Sequence, residues 1–120
     1  MENQLSIAKY IKEYLTDPQK SSDLIPANTG ISDNSVESQI KEYNDVLLKR
    51  DKLVVGSSSK NPIVMDLNNS LSAMKQTIIR SVDNLIVGLN IQLKNIREQE
   101  EQTTKRIEAV PAQQKYVLTV

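Results

Sequence analysis

Apolar residues return every three or four positions along the second half of the chain. The series is Leu67, Leu71, Met74, Ile78, Val82, Leu85, Leu89, Leu93 and Ile96, thinning afterwards to Thr103 and Ile107. The average step is close to 3.6, the period of a straight or gently curved α-helix rather than a strict heptad. Two prolines bracket the series, and Gly88 is the one glycine between them. Pro62 suits a first helical position, where its missing N–H has no partner to lose, and Asn61 before it suits an N-cap. Pro111 pushes Val110 out of helical space. The pattern therefore predicts one helix over residues 62–109, roughly 70 Å long at about 1.5 Å per residue.

Two shorter helical patterns precede it. Over residues 3–16, Leu5, Ala8, Ile11 and Leu15 share a face, with Ile7 and Tyr14 beside it, and Asp17-Pro18 ends the run. Over residues 35–55, Val36, Ile40, Tyr43 and Leu47 form a seam that Arg50 interrupts and Leu53 and Val54 resume. Asn34 with Glu37 resembles a capping box, and Gly56 stands where a left-handed C-cap glycine belongs. The short tip from Gly56 to Asn61 predicts that 35–55 and 62–109 form an antiparallel hairpin. Between the first two helices, residues 17–33 are polar and punctuated by Pro18, Pro26 and Gly30. Leu24, Ile25 and Ile31 are the apolar residues available to pin this linker to a helix, since long unanchored loops are uncommon in compact domains. The expected fold is a single all-α domain over residues 1–120. The second helix covers only part of the long one, so the stretch near Leu89–Ile107 lacks a partner unless helix 3–16 reaches it. That mismatch predicts self-association or further segments.

Composition narrows the function more than it names it. Of 120 residues, four are Tyr and none is Phe or Trp. Large aromatics dominate most globular cores, so their scarcity suits thin Leu/Ile/Val seams. Fifteen basic residues balance fifteen acidic ones. Nucleic-acid binding runs on excess positive charge, so a nucleic-acid partner is not expected. The lack of histidine removes His-based acid–base catalysis and the common metal sites, and the lack of cysteine suits an oxidising compartment without establishing one. No unbroken apolar run exceeds three residues, too short for a transmembrane helix or a signal h-region. The ends, Met1-Glu2-Asn3 and Tyr116–Val120, lack cap signals, so the chain is expected to be an excerpt of a longer protein.

Individual motifs carry little chemistry. Gly56 and Lys60 are spaced like part of a phosphate loop, but the second glycine and the preceding strand are missing. Glu98 and Glu101 share a helix face with no third ligand converging, so no metal or cofactor is expected. Residues 97–108 read as a solvated helical face with Glu101 and Lys105 at a favourable spacing, or as a docking face for a partner. Asn68-Asn69-Ser70 matches a glycosylation sequon by chance within a helix. Leu85, Gly88, Leu89 and Ile96 are the candidate oligomer contacts: Gly88 costs about 1 kcal/mol in a helix interior, and close approach of another backbone would explain it.

The run Lys60-Asn61-Pro62-Ile63-Val64-Met65-Asp66-Leu67 resembles the opening of the long helix in bacterial polysaccharide co-polymerases, more closely the exopolysaccharide tyrosine autokinases of the Wzc type. The run Arg106-Ile107-Glu108-Ala109-Val110-Pro111-Ala112-Gln113-Gln114 resembles that family's "P-x-x-Q" stop. Leu24-Ile25-Pro26-Ala27-Asn28-Thr29-Gly30-Ile31 is similar to versions from Bacteroides-type bacteria. The resemblance implies an inner-membrane protein whose periplasmic part has an α/β base with long helices rising from it. It also implies ring assembly, a role in capsule or exopolysaccharide chain length and export, and, in one branch, a cytoplasmic kinase domain. This chain would be an excerpt of the periplasmic helices. It would meet the membrane only through flanking segments, and its partners would be itself and the polysaccharide or its assembly machinery. No kinase motif falls within it, so the chain itself is expected not to be an enzyme. In isolation it is expected as a monomer or weak dimer. The rival expectations are the helical hairpin of a periplasmic adaptor from a secretion or efflux system, and a cytoplasmic coiled-coil adaptor.

Overall fold

The computed structural model describes residues 1–56 and 60–109, with side chains described as far as Arg106. Three α-helices follow one another: α1 (Glu2–Thr16), α2 (Asn34–Gly56) and α3 (Pro62–Ala109). A single 3-10 turn, Pro18–Lys20, follows α1. The described residues contain no strand, and the fold is all-α.

Local chemistry sets most of the boundaries. Asp17 is extended, at φ −78° and ψ 116°, as the residue before a proline prefers, so α1 stops there. Its carboxylate accepts from Gln19 N at 2.9 Å and caps the 3-10 turn. At the start of α3 the Asn61 side chain accepts from Ile63 N at 2.9 Å, and the Asn61 carbonyl accepts from Met65 N at 3.0 Å. Asn61 and Pro62 therefore act as N-cap and first helical residue, as the sequence indicates. α2 begins differently from the expected capping box. Asp33, not Asn34, is the cap: its carboxylate accepts from Val36 N at 3.0 Å, three residues on. Glu37 is thus one position too late to reciprocate. Gly56 also departs from expectation. It is the last residue of α2 and does not adopt a positive φ, so no left-handed C-cap forms there. Pro111, with the rest of residues 110–120, lies outside the described residues, as does the middle of the Gly56–Lys60 tip.

α3 is the spine, and both other helices lie antiparallel to it. α2 takes the first half: Arg50 Nη1 donates to Asn68 Oδ1 at 3.0 Å, and Lys75 lies over the Tyr43 ring. α1 takes the second half: Lys12 pairs with Asp83 at 2.7 Å and Glu2 with Arg97 at 3.5 Å. The first helix therefore does reach the stretch beyond Leu89. α1 and α2 consequently run parallel and staggered, and the linker must turn back between them. The molecule is a rod of 88 × 23 × 19 Å.

The core is a single strip along this spine. Ala8, Ile11 and Leu15 of α1 meet Val36, Ile40, Tyr43 and Leu47 of α2 and Leu71, Ile78, Val82 and Leu89 of α3. Buried positions on α3 run from Val64 to Leu93, with Leu67, Met74, Leu85 and Ile86 partly covered between them. Each fully buried Leu or Ile contributes about 1.5–3 kcal/mol of transfer free energy.

The linker is held by two side-chain amides. Asn44 on α2 accepts from Ile25 N at 2.8 Å and donates to the Ile25 carbonyl at 2.9 Å, as a neighbouring strand would. Gln4 on α1 accepts from Ser32 N at 2.8 Å and donates to the Gly30 carbonyl at 2.9 Å. Ile25 and Ile31 are buried between these clamps, whereas Leu24, also expected to pin the loop, faces out at 46% exposure. Gly30 sits at φ +91°, a conformation glycine adopts at no steric cost. Asn28, at φ 55°, takes the left-handed conformation that asparagine tolerates best among residues with a Cβ.

Candidate functional site

Two surfaces come out of this architecture. The first is the exposed side of α3 together with its uncovered stretch after Arg97. Leu89, at 9% exposure, belongs to the chain's own core, and Leu85 packs against that core. Helix α1 thus occupies two of the four positions expected to contact a neighbour. The sequence gives no way to tell an in-chain partner from another copy, because both demand the same apolar stripe. Gly88 stays available. A Cβ built on it would meet nothing within 4 Å, so among the described residues no other segment's backbone approaches it. Ile96 lies at the edge of the cover, at 36% exposure. Val87 and Ile91, at 57% and 55%, flank Gly88 one turn apart. They lie off the main seam, and an apolar i,i+4 pair on the opposite face was the signal for them in the sequence.

Beyond Arg97, α3 loses its cover. Residues 98–106 are all exposed, and the helix continues to Ala109. The projecting part is about 18 Å long at the usual rise of ~1.5 Å per residue. Its carboxylates do not gather: no group of three or more His, Cys, Asp or Glu able to hold a metal ion occurs among the described residues.

The second surface is a cleft of about 220 Å³ on one flank of the α2–α3 pair. On α2, Tyr43, Leu47 and Arg50 line it at i, i+4 and i+7. On α3, Asn68, Ser72 and Lys75 line it with the same spacing. Ser21 of the linker closes one end: Lys75 Nζ donates to its carbonyl at 3.0 Å. The Lys75 ammonium also stands 5.6 Å from the centre of the Tyr43 ring, within cation–π range. Arg50 donates through Nε and Nη2 to Asp51 at 3.1 and 2.8 Å and through Nη1 to Asn68. Burial lowers the Lys75 pKa below the usual lysine value. Burial raises the Tyr43 pKa, and the Arg50 charge nearby pulls it back down. In sequence Arg50 merely interrupts a seam and Lys75 carries no signal at all, because the cleft exists only once two helices and a loop meet.

The fold and these surfaces define a class: an all-α rod built on one long helix, with two staggered helices against it. Among the described residues no helix is long and apolar enough to cross a membrane. No protein-family model, curated protein or solved structure matches the chain.

Proposed function

We propose that this chain is a structural and oligomerisation rod of a polysaccharide co-polymerase, standing in the periplasm as part of an inner-membrane protein. Its role is geometric. Copies side by side set the dimensions of an assembly around a growing capsular or exopolysaccharide chain or its exporter, without covalent chemistry in this segment. The observation that carries the reading is the uneven cover of α3: packed to Leu93, then bare from residue 98 to residue 106. A helix that outruns its own partners offers a surface for other copies or for neighbouring segments of a larger protein. The exposed Val87 and Ile91 beside Gly88 support lateral contact at a second place. The resemblance of the Asn61-Pro62 opening to the co-polymerase family supplies the polysaccharide context.

An antibody raised against this chain, used on fractionated source cells, tests the proposal. The expected result is a band many times heavier than 13.5 kDa in the inner-membrane fraction, shifted to multiples of itself by brief chemical crosslinking. A band near the chain's own mass in the soluble fraction would overturn it in favour of a free-standing adaptor.

A further inference from the structure

We infer that the cleft between α2 and α3 binds a small oxyanion, the phosphate or carboxylate group of a larger molecule. Three observations carry this. First, two cationic side chains, Arg50 and Lys75, converge on one concave space from different helices, and none of the residues lining that space is a carboxylate. Second, the Lys75 charge is held partly out of water with only neutral acceptors: a carbonyl oxygen at 3.0 Å and an aromatic face. A half-desolvated cation without a counter-charge is costly, and an anion beside it offsets that cost. Third, further donors complete the set. Ser72 and Tyr43 offer hydroxyls, and Arg50 keeps two N–H groups beyond those used on Asp51 and Asn68. Charge-assisted bonds from guanidinium and ammonium to an oxyanion are the strong kind.

Size narrows the ligand. At about 220 Å³ the cleft lies below the ~300 Å³ at which drug-sized sites begin, so it takes one charged group rather than a whole cofactor. It opens to solvent on the flank of the rod, so the charged group of a larger molecule can enter while the remainder stays outside. Asp51, exposed and bound to Nε and Nη2 of Arg50, orients the guanidinium and leaves its net charge partly neutralised. Lys75 therefore supplies most of the uncompensated charge.

The inference is independent of the proposed assembly role, since Arg50 and Lys75 lie away from Val87, Gly88 and Ile91. The test is an amide NMR titration of the full chain at neutral pH. Sodium phosphate is one arm and sodium glucuronate the other, each against sodium chloride at matched ionic strength. Saturable shifts centred on Tyr43, Arg50, Ser72 and Lys75 are expected in at least one oxyanion arm. Saturation by phosphate alone assigns a phosphate group, and saturation by glucuronate assigns a carboxylate. Lys75→Met, checked for folding by circular dichroism, is expected to weaken binding at least about tenfold. Arg50→Gln should weaken it less. Shifts that match the chloride control, that spread over every exposed lysine, or that persist unchanged in Lys75→Met would overturn the site.

Discussion

The same helix lives in two regimes. From Val64 to Leu93, α3 is held by apolar contact with α2, then α1 and the linker. From residue 98 to residue 106 every position is exposed, and among the described residues local helical preferences and spaced charges are its only support. Isolated helices of such length are marginal in water, and most helical stability in proteins comes from packing. The projecting end is thus continuous with the packed part in backbone but not in energetic support. Its side chains from Glu98 to Arg106 are all charged or polar, so water solvates them without a packing partner.

The largest expected effect falls in the covered half. Ile78→Ala, at a fully buried position in the core, should destabilise by about 2–5 kcal/mol in urea unfolding followed by circular dichroism. Gln102→Ala, on the projecting end, should stay within about 0.5 kcal/mol. Equal losses at the two sites would mean that the projecting end is packed in solution, and the comparison would collapse.

Asn44→Ala comes next. It removes both hydrogen bonds to the Ile25 backbone and leaves that amide and carbonyl partly buried without partners. A loss of about 1–3 kcal/mol is expected, with faster amide exchange at Ile25. A neutral result would show that Ile25 and Ile31 hold the linker by burial alone. Asp33→Ala should cost about 1 kcal/mol through the lost cap on Val36, and Asn34→Ala measurably less. The reverse order in thermal melts would return the cap to Asn34.

The smallest effect is also a gain. Gly88→Ala should stabilise an isolated monomer by up to about 1 kcal/mol, because the new methyl meets open space and helix propensity rises. In an assembled state the same change would press on any neighbour seated there. A gain in the monomer together with a loss of assembly, read by sedimentation of the parent protein, would separate the two roles of this residue. A loss of stability in the monomer itself would show that some part of this chain lies against Gly88.

Much of the architecture was legible in the residues. Asn61-Pro62 and Asp17-Pro18 mark real boundaries because caps and prolines act within a few residues of themselves. The seam from Leu67 to Leu93 is a real core stripe because helical period and burial are tied together. Other features were missed for physical reasons. Val64 is buried one turn before the seam was expected to begin, a burial that helical period alone does not signal. Asp33 and Asn34 are equally good caps by type, and the inward turn of Val36 chooses between them. Leu24 and Ile25 are equally apolar, and only the amide of Asn44 decides which of them faces in. The oligomer candidates were the least legible part: Leu85 and Leu89 satisfy the pattern of an outer interface, yet α1 already lies over them.

By itself, then, the sequence determined three helices, their approximate ends and the apolar face of each, because those properties depend on neighbours a few positions away. The tertiary structure alone decided that α1 and α2 share α3 in a staggered, parallel arrangement. It also decided that two amides clamp the loop between them and that Arg50 and Lys75 open onto one cleft. These depend on where a 17–33 crossover lets distant residues meet, and the contacts that fix it join positions 19 to 54 residues apart. No local period or propensity carries that information.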